Sequence, residues 1–181
     1  MNAKSGAGTR ATLVILSGLP GVGKTAIARE LASQIGAVHL RIDSIEQVMR
    51  SSQDSSVSLD DAGYRIAYAV AEDNLRIGLT VIADSVNPIQ LTRDAWVEVA
   101  ARAAVRAIEV EIQCSDVEEH RRRVETRVTD VPGLRLPTWE DVLAREYAPW
   151  NREHLVLDTA ARTLDQNVDT IREALRESLL R

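Results

Sequence analysis

Short apolar runs alternate along the chain with longer segments in which apolar residues recur every three or four positions. Runs of the first kind predict buried strands, and segments of the second kind predict helices with one apolar face. Such alternation favours an α/β fold, in which a parallel sheet carries helices on both faces. Strands are predicted at Thr12–Ser17, Val38–Ile42, Thr80–Asp84, Ala107–Cys114 and His154–Asp158. Helices are predicted at Lys24–Ile35, Ser44–Met49, Leu59–Ile77, Leu91–Ala103, Val117–Arg127, Trp139–Glu146 and Val168–Leu180.

The ends of this pattern predict the extent of the domain. Val168, Ile171, Leu175 and Leu179 form an apolar stripe, typical of a closing helix that packs on the sheet. We therefore expect one domain over residues 12–181, preceded by a flexible tail at residues 1–11. The polar stretch Ser51–Ser58 is low in complexity and predicts a mobile surface loop.

The most specific motif lies between the first predicted strand and the first predicted helix, where residues 18–25 read Gly-Leu-Pro-Gly-Val-Gly-Lys-Thr. This stretch fits the phosphate-binding loop G-x-x-x-x-G-K-[ST] in the strand and helix context that the motif requires. Its glycines let backbone N–H groups point inward, and the start of a helix adds partial positive charge. Lys24 is expected near the β- and γ-phosphates of ATP, and the Thr25 hydroxyl on Mg²⁺. The expected phosphate-binding residues are Gly18, Gly21, Val22, Gly23, Lys24, Thr25 and Ala26.

Asp43 directly follows the second predicted strand, at the edge of the sheet where ligands of such folds gather. A carboxylate across from a phosphate loop suits a base that accepts the proton of a substrate hydroxyl. The alternative is that Asp43 or Ser44 caps the following helix.

Asp84 ends the third predicted strand after a run of apolar residues. In this position a carboxylate reaches the Mg²⁺ shell beside the phosphate loop, usually through water. The alternative is that Asp84 bonds the backbone of the turn before Asn87 and Pro88.

Arg123 and Arg127 share one face of the helix that follows the fourth strand. The next residues, Val128 to Pro137, contain proline and glycine and predict a mobile loop, so we expect a lid at about residues 124–150. A closing lid that carries arginines would stabilise transferring phosphoryl charge and exclude water. The alternative is a solvated face in which these arginines pair with Glu119 and Glu125.

Charge and composition limit the partners. The net charge of −5 at pH 7 argues against a general nucleic-acid surface. No apolar run approaches the ~20 residues of a membrane span, and residues 1–11 lack the apolar segment of a signal peptide. The single cysteine, Cys114, is expected to be a buried thiol in a reducing compartment, which favours a cytoplasmic protein. Lys24 is the only lysine after position 4, which favours a specific role for it.

Several of these segments together resemble the P-loop small-molecule kinases. They are the phosphate loop, Arg41-Ile-Asp43, residues 84–96, the Arg123-x-x-x-Arg127 pair and residues 155–159. Within these kinases the chain is similar to the "predicted kinase" ATP-binding group, related to chloramphenicol phosphotransferase, gluconate kinase and zeta toxin.

The resemblance implies a three-layer fold with a five-stranded parallel sheet in the order 2-3-1-4-5 and a helical lid. It also implies Asp43 as the base, Asp84 as the carboxylate associated with Mg²⁺, and Arg123 and Arg127 as lid residues. Arg93 would lie near the substrate or the phosphates, with a place on the helix surface as its alternative. Thr159 would belong to the loop beside the adenine.

The expected function is therefore transfer of the γ-phosphoryl group of ATP to a hydroxyl of a small molecule. A regulatory or switch-type ATP-binding protein without such an acceptor is the alternative. A GTPase is disfavoured because no Asn-Lys-x-Asp motif occurs, and a nucleic-acid end kinase is disfavoured by the acidic balance. Neither the acceptor nor the choice between monomer and dimer follows from the sequence.

Overall fold

The computed structural model describes residues 11–52 and 62–177. Nearly all of the tail predicted at residues 1–11, and most of the polar loop predicted at 51–58, lie outside the described residues. The strands are β1 (Thr12–Ser17), β2 (Val38–Arg41), β3 (Val81–Asp84), β4 (Arg106–Gln113) and β5 (Leu155–Asp158). The helices are α1 (Lys24–Ile35), α2 (Ile42–Ser51), α3 (Ala62–Arg76), α4 (Gln90–Arg102), α5 (Val117–Thr126), α6 (Trp139–Leu143) and α7 (Leu164–Glu177).

The five strands form one parallel sheet in the order β2-β3-β1-β4-β5. This confirms both the fold class and the strand order expected from the sequence. β1 lies at the centre, and all six of its residues are buried. Its register with β3 sets Leu16 beside Asp84, and the register of β2 with β3 sets Arg41 on the other side of Asp84.

The side chains of β1 divide the apolar core between the two faces of the sheet. Val14 and Leu16 point to one face, where they pack with residues of α1 and α7 such as Ile27 and Ile171. Leu13 and Ile15 point to the other face, which α3 and α4 cover. Because each face of a parallel sheet is buried under helices, β1 reads as a continuous apolar run. Among the described helices, none combines the length and the apolar character needed to cross a bilayer.

Two helices begin at least two residues earlier than the sequence pattern predicted. α7 begins at Leu164, where the side chains of Thr163 and Gln166 accept each other's backbone N–H groups. This reciprocal cap is readable in the sequence as Thr-x-x-Gln, although the apolar stripe alone starts only at Val168. α2 begins at Ile42, which is buried and packs against the α3 and α4 side of the sheet.

The loop after β3 is tied to β1 by Asn87, which has a φ of 47° and is fully buried. Asparagine tolerates this left-handed conformation better than most residues. Its side-chain amide donates to the carbonyl of Leu16 and to the Ser17 hydroxyl, and its side-chain oxygen accepts from Ser85 and Trp96. The carboxyl ends of β1 and β3 are thereby held together by side-chain as well as ladder hydrogen bonds.

Arg93 of α4 lies inside the protein and does not line the cavity described below. Its guanidinium donates to the carbonyls of Asn87 at 3.0 Å and Ala148 at 2.8 Å, with longer bonds to those of Pro88 and Pro149. The group also lies over the ring of Trp150, at 4.2 Å from its centroid. The expectation that Arg93 contacts substrate or phosphate is therefore corrected, because its charged group is already bonded to buried carbonyls. The alternative place on the helix surface is also wrong.

Replacing Arg93 with alanine should lower the free energy of unfolding by roughly 3 kcal/mol or more, because buried carbonyls would lose their donors. Urea unfolding monitored by circular dichroism measures the change. Arg102→Ala is the matched control on the same helix, since Arg102 is half-exposed and its ion pairs contribute about 1 kcal/mol or less. Equal losses in the two variants would show that the Arg93 contacts contribute little.

Candidate functional site

Two glycines of the phosphate loop occupy positions that other residues could not. Gly18 has a φ of 141°, and a Cβ atom there would lie 2.1 Å from the carbonyl oxygen of Ile112. Gly21 has a φ of 88°, and a Cβ atom there would lie 2.5 Å from a methyl group of Val124 on α5. The loop can therefore follow this path only with glycine at both positions.

Lys24 is the first residue of α1 and is almost fully buried. Its Nζ donates to the carbonyls of Gly18 at 2.8 Å and Leu19 at 2.9 Å, so the side chain folds back over its own loop. Burial lowers the pKa of Lys24 from its ordinary 10.5 to about 8. At neutral pH the lysine still carries its charge, at a cost to the stability of the fold.

Four charged side chains from separate segments of the chain influence the pKa of this lysine. The carboxylates of Asp84 and Asp43 oppose the lowering of its pKa, whereas Arg127 and Arg145 add to it. All four line the same cavity as Lys24. The fold thus brings the predicted base, the predicted metal ligand and one predicted lid arginine to the phosphate loop.

Asp84 is buried at the end of β3 and accepts two hydrogen bonds on one oxygen, Oδ2. The Thr25 hydroxyl donates at 2.7 Å and His39 Nε2 donates at 3.1 Å. Burial would raise the pKa of Asp84, but the His39 bond, the charge of Lys24 and the Thr25 bond outweigh it and lower the pKa. A hydroxyl and an ionised carboxylate in contact form the oxygen donor set that suits Mg²⁺. The alternative, in which Asp84 bonds the backbone of the turn before Asn87 and Pro88, does not account for these side-chain contacts.

Asp43 lies in the first turn of α2, and its side chain is about half-exposed in the cavity. The N-cap of α2 is Arg41 and makes no side-chain cap bond, so the capping alternative for Asp43 or Ser44 is wrong. Arg41 lies beside Asp43, with its NH2 group 3.6 Å from Oδ2. A solvent-facing carboxylate near the phosphate loop can accept a proton from a bound hydroxyl.

The two predicted lid arginines have different surroundings. Arg123 donates to Glu119 at 2.7 Å and to the Thr159 hydroxyl at 2.8 Å, which joins two predicted site residues. Thr159 in turn donates to the carbonyl of Val22 at 2.8 Å, so it is bonded to the phosphate loop. The Nε of Arg127 is buried without a hydrogen-bond partner, and burial lowers the pKa of its guanidinium. Arg123 is thus held in place, while Arg127 keeps donor capacity for a ligand.

The segment predicted to form a lid contains a loop at residues 127–138, followed by the short helix α6. Asp130 of this loop accepts from Arg41 of β2 at 2.8 Å and from Arg29 of α1. These bonds hold the lid loop across the edge of the sheet, beside Asp43.

One cavity of about 1170 Å³ unites these groups. It is lined by Gly21, Gly23, Lys24, Thr25 and Ala26 of the loop and by Asp43, Asp84, Arg123 and Arg127. Gly18 and Val22 of the loop, and Thr159, do not line this cavity. The remaining lining residues come from the phosphate loop, α1, β2, α2, α3, the loop after β3, α4 and the segment predicted as the lid.

Sequence reasoning missed several residues of the site. His39 belongs to no motif of the sequence, yet it donates to the predicted metal ligand. His120 of α5 donates to the carbonyl of Pro20 at 2.8 Å and so supports the phosphate loop. Arg41 and Arg145 line the cavity without belonging to a recognised motif. Only the register of β2 with β3, in which Arg41 pairs with Asp84, could have placed His39 and Arg41 beside Asp84, and local sequence does not encode that register.

Comparison with known families agrees with this geometry. A family model described as AAA domain matches residues 13–149, which is most of the chain and includes the phosphate loop, Asp43, Asp84 and both lid arginines. The chain belongs to this AAA domain family. No curated protein matches the sequence of this AAA domain.

Solved structures share the fold of this AAA domain. The APS kinase of Mycobacterium tuberculosis, in complex with AMPPNP and APS, is 20% identical with a TM-score of 0.72, over 93% of this chain and 98% of that chain. A gluconokinase from Sinorhizobium meliloti is 17% identical with a TM-score of 0.64, over 93% of both chains. Kti12 of Chaetomium thermophilum, in complex with ADP-AlF3, is 24% identical with a TM-score of 0.64, over 90% of this chain and 98% of that chain. The resemblance to P-loop small-molecule kinases is confirmed at the level of the fold.

The lowered pKa of Lys24 predicts how stability depends on pH. Below about pH 8 the lysine is protonated in both states, so the folded protein bears the full cost of the buried charge. Between pH 8 and 10.5 the folded state loses this proton first, and the cost disappears. Over this window the unfolding free energy of wild type should rise by up to roughly 3 kcal/mol relative to Lys24→Met.

Urea unfolding of both proteins at a series of pH values from 7 to 10.5 measures this difference. Every other titrating group is shared by the two proteins, so its contribution cancels in the comparison. A difference that does not change with pH would mean that the pKa of Lys24 is not lowered.

Proposed function

We propose that this protein is an ATP-dependent phosphotransferase that moves the γ-phosphoryl group of ATP·Mg²⁺ to a hydroxyl of a small molecule. The observation that carries the proposal is the convergence of Lys24, Asp84, Asp43 and Arg127 on one cavity. Single-ligand pockets hold about 300–1,000 Å³, whereas this cavity reaches about 1170 Å³. The cavity therefore has room for a nucleotide and an acceptor.

The donor half of the site is the phosphate loop with Thr159 and Arg123 beside it. Gly18, Gly21, Val22, Gly23 and Ala26 shape the loop, and Lys24 exchanges its bonds to loop carbonyls for bonds to phosphate oxygens. Thr25 and Asp84 would hold Mg²⁺, with the remaining ligands from phosphates and water. When bound, the ion would neutralise charge that develops on the phosphates.

The transfer step uses residues of both halves. Asp43 accepts the proton of the acceptor hydroxyl, the hydroxyl oxygen forms a bond to the γ-phosphorus, and the bond from that phosphorus to the β–γ bridging oxygen breaks. The products are ADP and the phosphorylated acceptor. Lys24 and Arg127 stabilise the charge on the transferring group, since positioning and electrostatics supply most of the rate in such reactions.

Structural relatives support this proposal and its alternative. The APS kinase structure contains AMPPNP together with APS, so the shared fold can accommodate two ligands. The Kti12 structure contains ADP-AlF3, and no acceptor is named with it. A regulatory ATP-binding protein that transfers phosphate only to water is therefore the second candidate.

Residues 12–181 would form a single domain, with a lid at about residues 124–150 that closes over both substrates. The protein would act in the cytoplasm as a monomer or dimer.

The deciding experiment incubates the protein with Mg²⁺, radiolabelled ATP and a metabolite extract, and separates labelled products by chromatography. Under the proposal, label moves to an organic product with wild type and not with Lys24→Met. Label found only in inorganic phosphate would overturn the proposal in favour of the regulatory ATPase.

Asp43→Asn should reduce transfer to the acceptor by roughly 100-fold or more while AMPPNP affinity stays close to that of wild type. The amide keeps the shape of the carboxylate but cannot accept the proton. Product formation and calorimetric AMPPNP binding are measured in parallel. Asp169→Asn, on the exposed part of α7 outside the cavity, is the control for loss of one carboxylate. A matching loss of AMPPNP affinity would assign Asp43 to metal or nucleotide binding instead.

Arg127→Ala should lower kcat by roughly 100-fold or more, with a much smaller change in KM for ATP. The reason is that its unpartnered guanidinium is expected to bond the transferring group chiefly in the transition state. Steady-state kinetics with saturating acceptor measure both constants. Arg121→Ala removes an exposed arginine of the preceding helix, outside the cavity, and should behave as wild type. An unchanged kcat in Arg127→Ala would show that Arg127 does not act on the transferring group.

A further inference from the structure

A second, smaller cavity of about 470 Å³ lies at the junction of α2 and the lid loop. Gln47, Arg50 and Ser51 of α2 line one side, and Gly133 and Arg135 of the lid loop line the other. Arg50 and Arg135 also line the main cavity, so the two spaces meet at these arginines. Within the part of the chain that the structure describes, no acidic residue lines the smaller cavity.

The approach of the lid loop to α2 is close. Gly133 has a φ of 75°, and a Cβ atom there would lie 3.0 Å from the side-chain nitrogen of Gln47. The bond from Arg41 to Asp130 holds the same loop a few residues earlier. Arg135 is therefore brought to the cavity by the fold of the lid and not by its position in the sequence.

The charges at this junction are incompletely balanced. Arg50 bonds Glu46 at 2.7 Å, which uses one of the five donors of its guanidinium. Arg135 makes no ion pair with any acidic residue of the described ranges 11–52 and 62–177. Two guanidinium groups from separate elements thus face one small space, an arrangement that an anion between them would stabilise. The planar fork of arginine matches both carboxylate and phosphate.

The position of this junction relative to Asp43 is fixed by helix geometry. Asp43, Gln47 and Arg50 lie four and then three residues apart on α2, which places them on one face of the helix. The rise of an α-helix places Asp43 and Arg50 roughly 10 Å apart along the axis of α2. A small molecule could therefore place a hydroxyl at Asp43 and another group at the two arginines.

We propose that Arg50 and Arg135, with Gln47, form an anion subsite that binds a carboxylate or phosphate group of the acceptor. The substrates are then small hydroxyl compounds that carry a negative charge. Their reacting hydroxyl would lie roughly 10 Å from the charged group. This inference rests on the proposed kinase function, since it assigns the acceptor of that same site.

The first test divides a metabolite extract on an anion-exchange column at neutral pH. Wild-type protein, Mg²⁺ and radiolabelled ATP are added separately to the retained fraction and to the flow-through, and labelled organic products are counted. Label arising from the retained fraction is the expected result. Label only from the flow-through would overturn the anion subsite and leave the kinase proposal standing. Label in neither fraction would overturn the kinase proposal, and the subsite with it.

A phosphatase step distinguishes the two sources of charge. The retained fraction is treated with immobilised alkaline phosphatase, which is removed before the kinase assay. Loss of the labelled product assigns a phosphate group to the acceptor, and persistence of the product assigns a carboxylate. Either result supports the subsite, because both groups suit the paired guanidinium groups.

The second test uses variants and the active retained fraction. Arg50→Gln and Arg135→Gln should each raise the apparent KM for this fraction by roughly tenfold or more, and the increase should exceed any change in KM for ATP. Arg121→Gln is the matched control, because Arg121 also pairs with a glutamate four residues away and is half-exposed, yet lies outside both cavities. Equal increases in the two KM values would place Arg50 and Arg135 in the nucleotide site and overturn the proposal.

Discussion

The parallel pairing of β1 with β3 is the constraint on which the candidate site depends. It sets Leu16 beside Asp84, so that the phosphate loop leaves the sheet next to the carboxylate that Thr25 contacts. Asn87 adds bonds from the β3 loop to the last residues of β1. Because ladder and side-chain bonds fix the same two strand ends, the distance from Thr25 to Asp84 is a property of the buried core and does not depend on the lid.

The lid, by contrast, is joined to this core at separate points of different character. Asp130 is half-exposed, and its ion pair with the half-exposed Arg29 is of the kind that contributes little to stability, whereas Arg41 is more buried. Arg93 instead bonds the carbonyls of Ala148 and Pro149 from inside the protein. The end of the predicted lid near Pro149 is therefore fixed from inside the protein, whereas the loop that carries Arg135 is held by contacts nearer the surface.

Electrostatics around the phosphate loop work against the stability of the free protein. Lys24 is buried near Arg127 and Arg145, and the carboxylates of Asp43 and Asp84 offset only part of the cost. A bound phosphate would supply the missing negative charge at the centre of this group. Binding of an anion would offset the free-energy cost of the buried positive charge and would therefore be favoured. This is a common property of preorganised sites.

The sequence by itself determined the fold class, the strand order through the family resemblance, and the phosphate loop, because apolar periodicity and loop chemistry are local properties. Asp43 and Asp84 could be proposed because each stands at the carboxyl end of a predicted strand. The sequence misplaced Arg93, since an arginine on a helix does not reveal whether it points to solvent, to a site or to buried carbonyls. Tertiary structure alone placed His39 on Asp84 through the β2–β3 register and brought Arg135 to Arg50 through the fold of the lid. These contacts join residues far apart in the chain, and no local pattern encodes which distant groups a fold brings together.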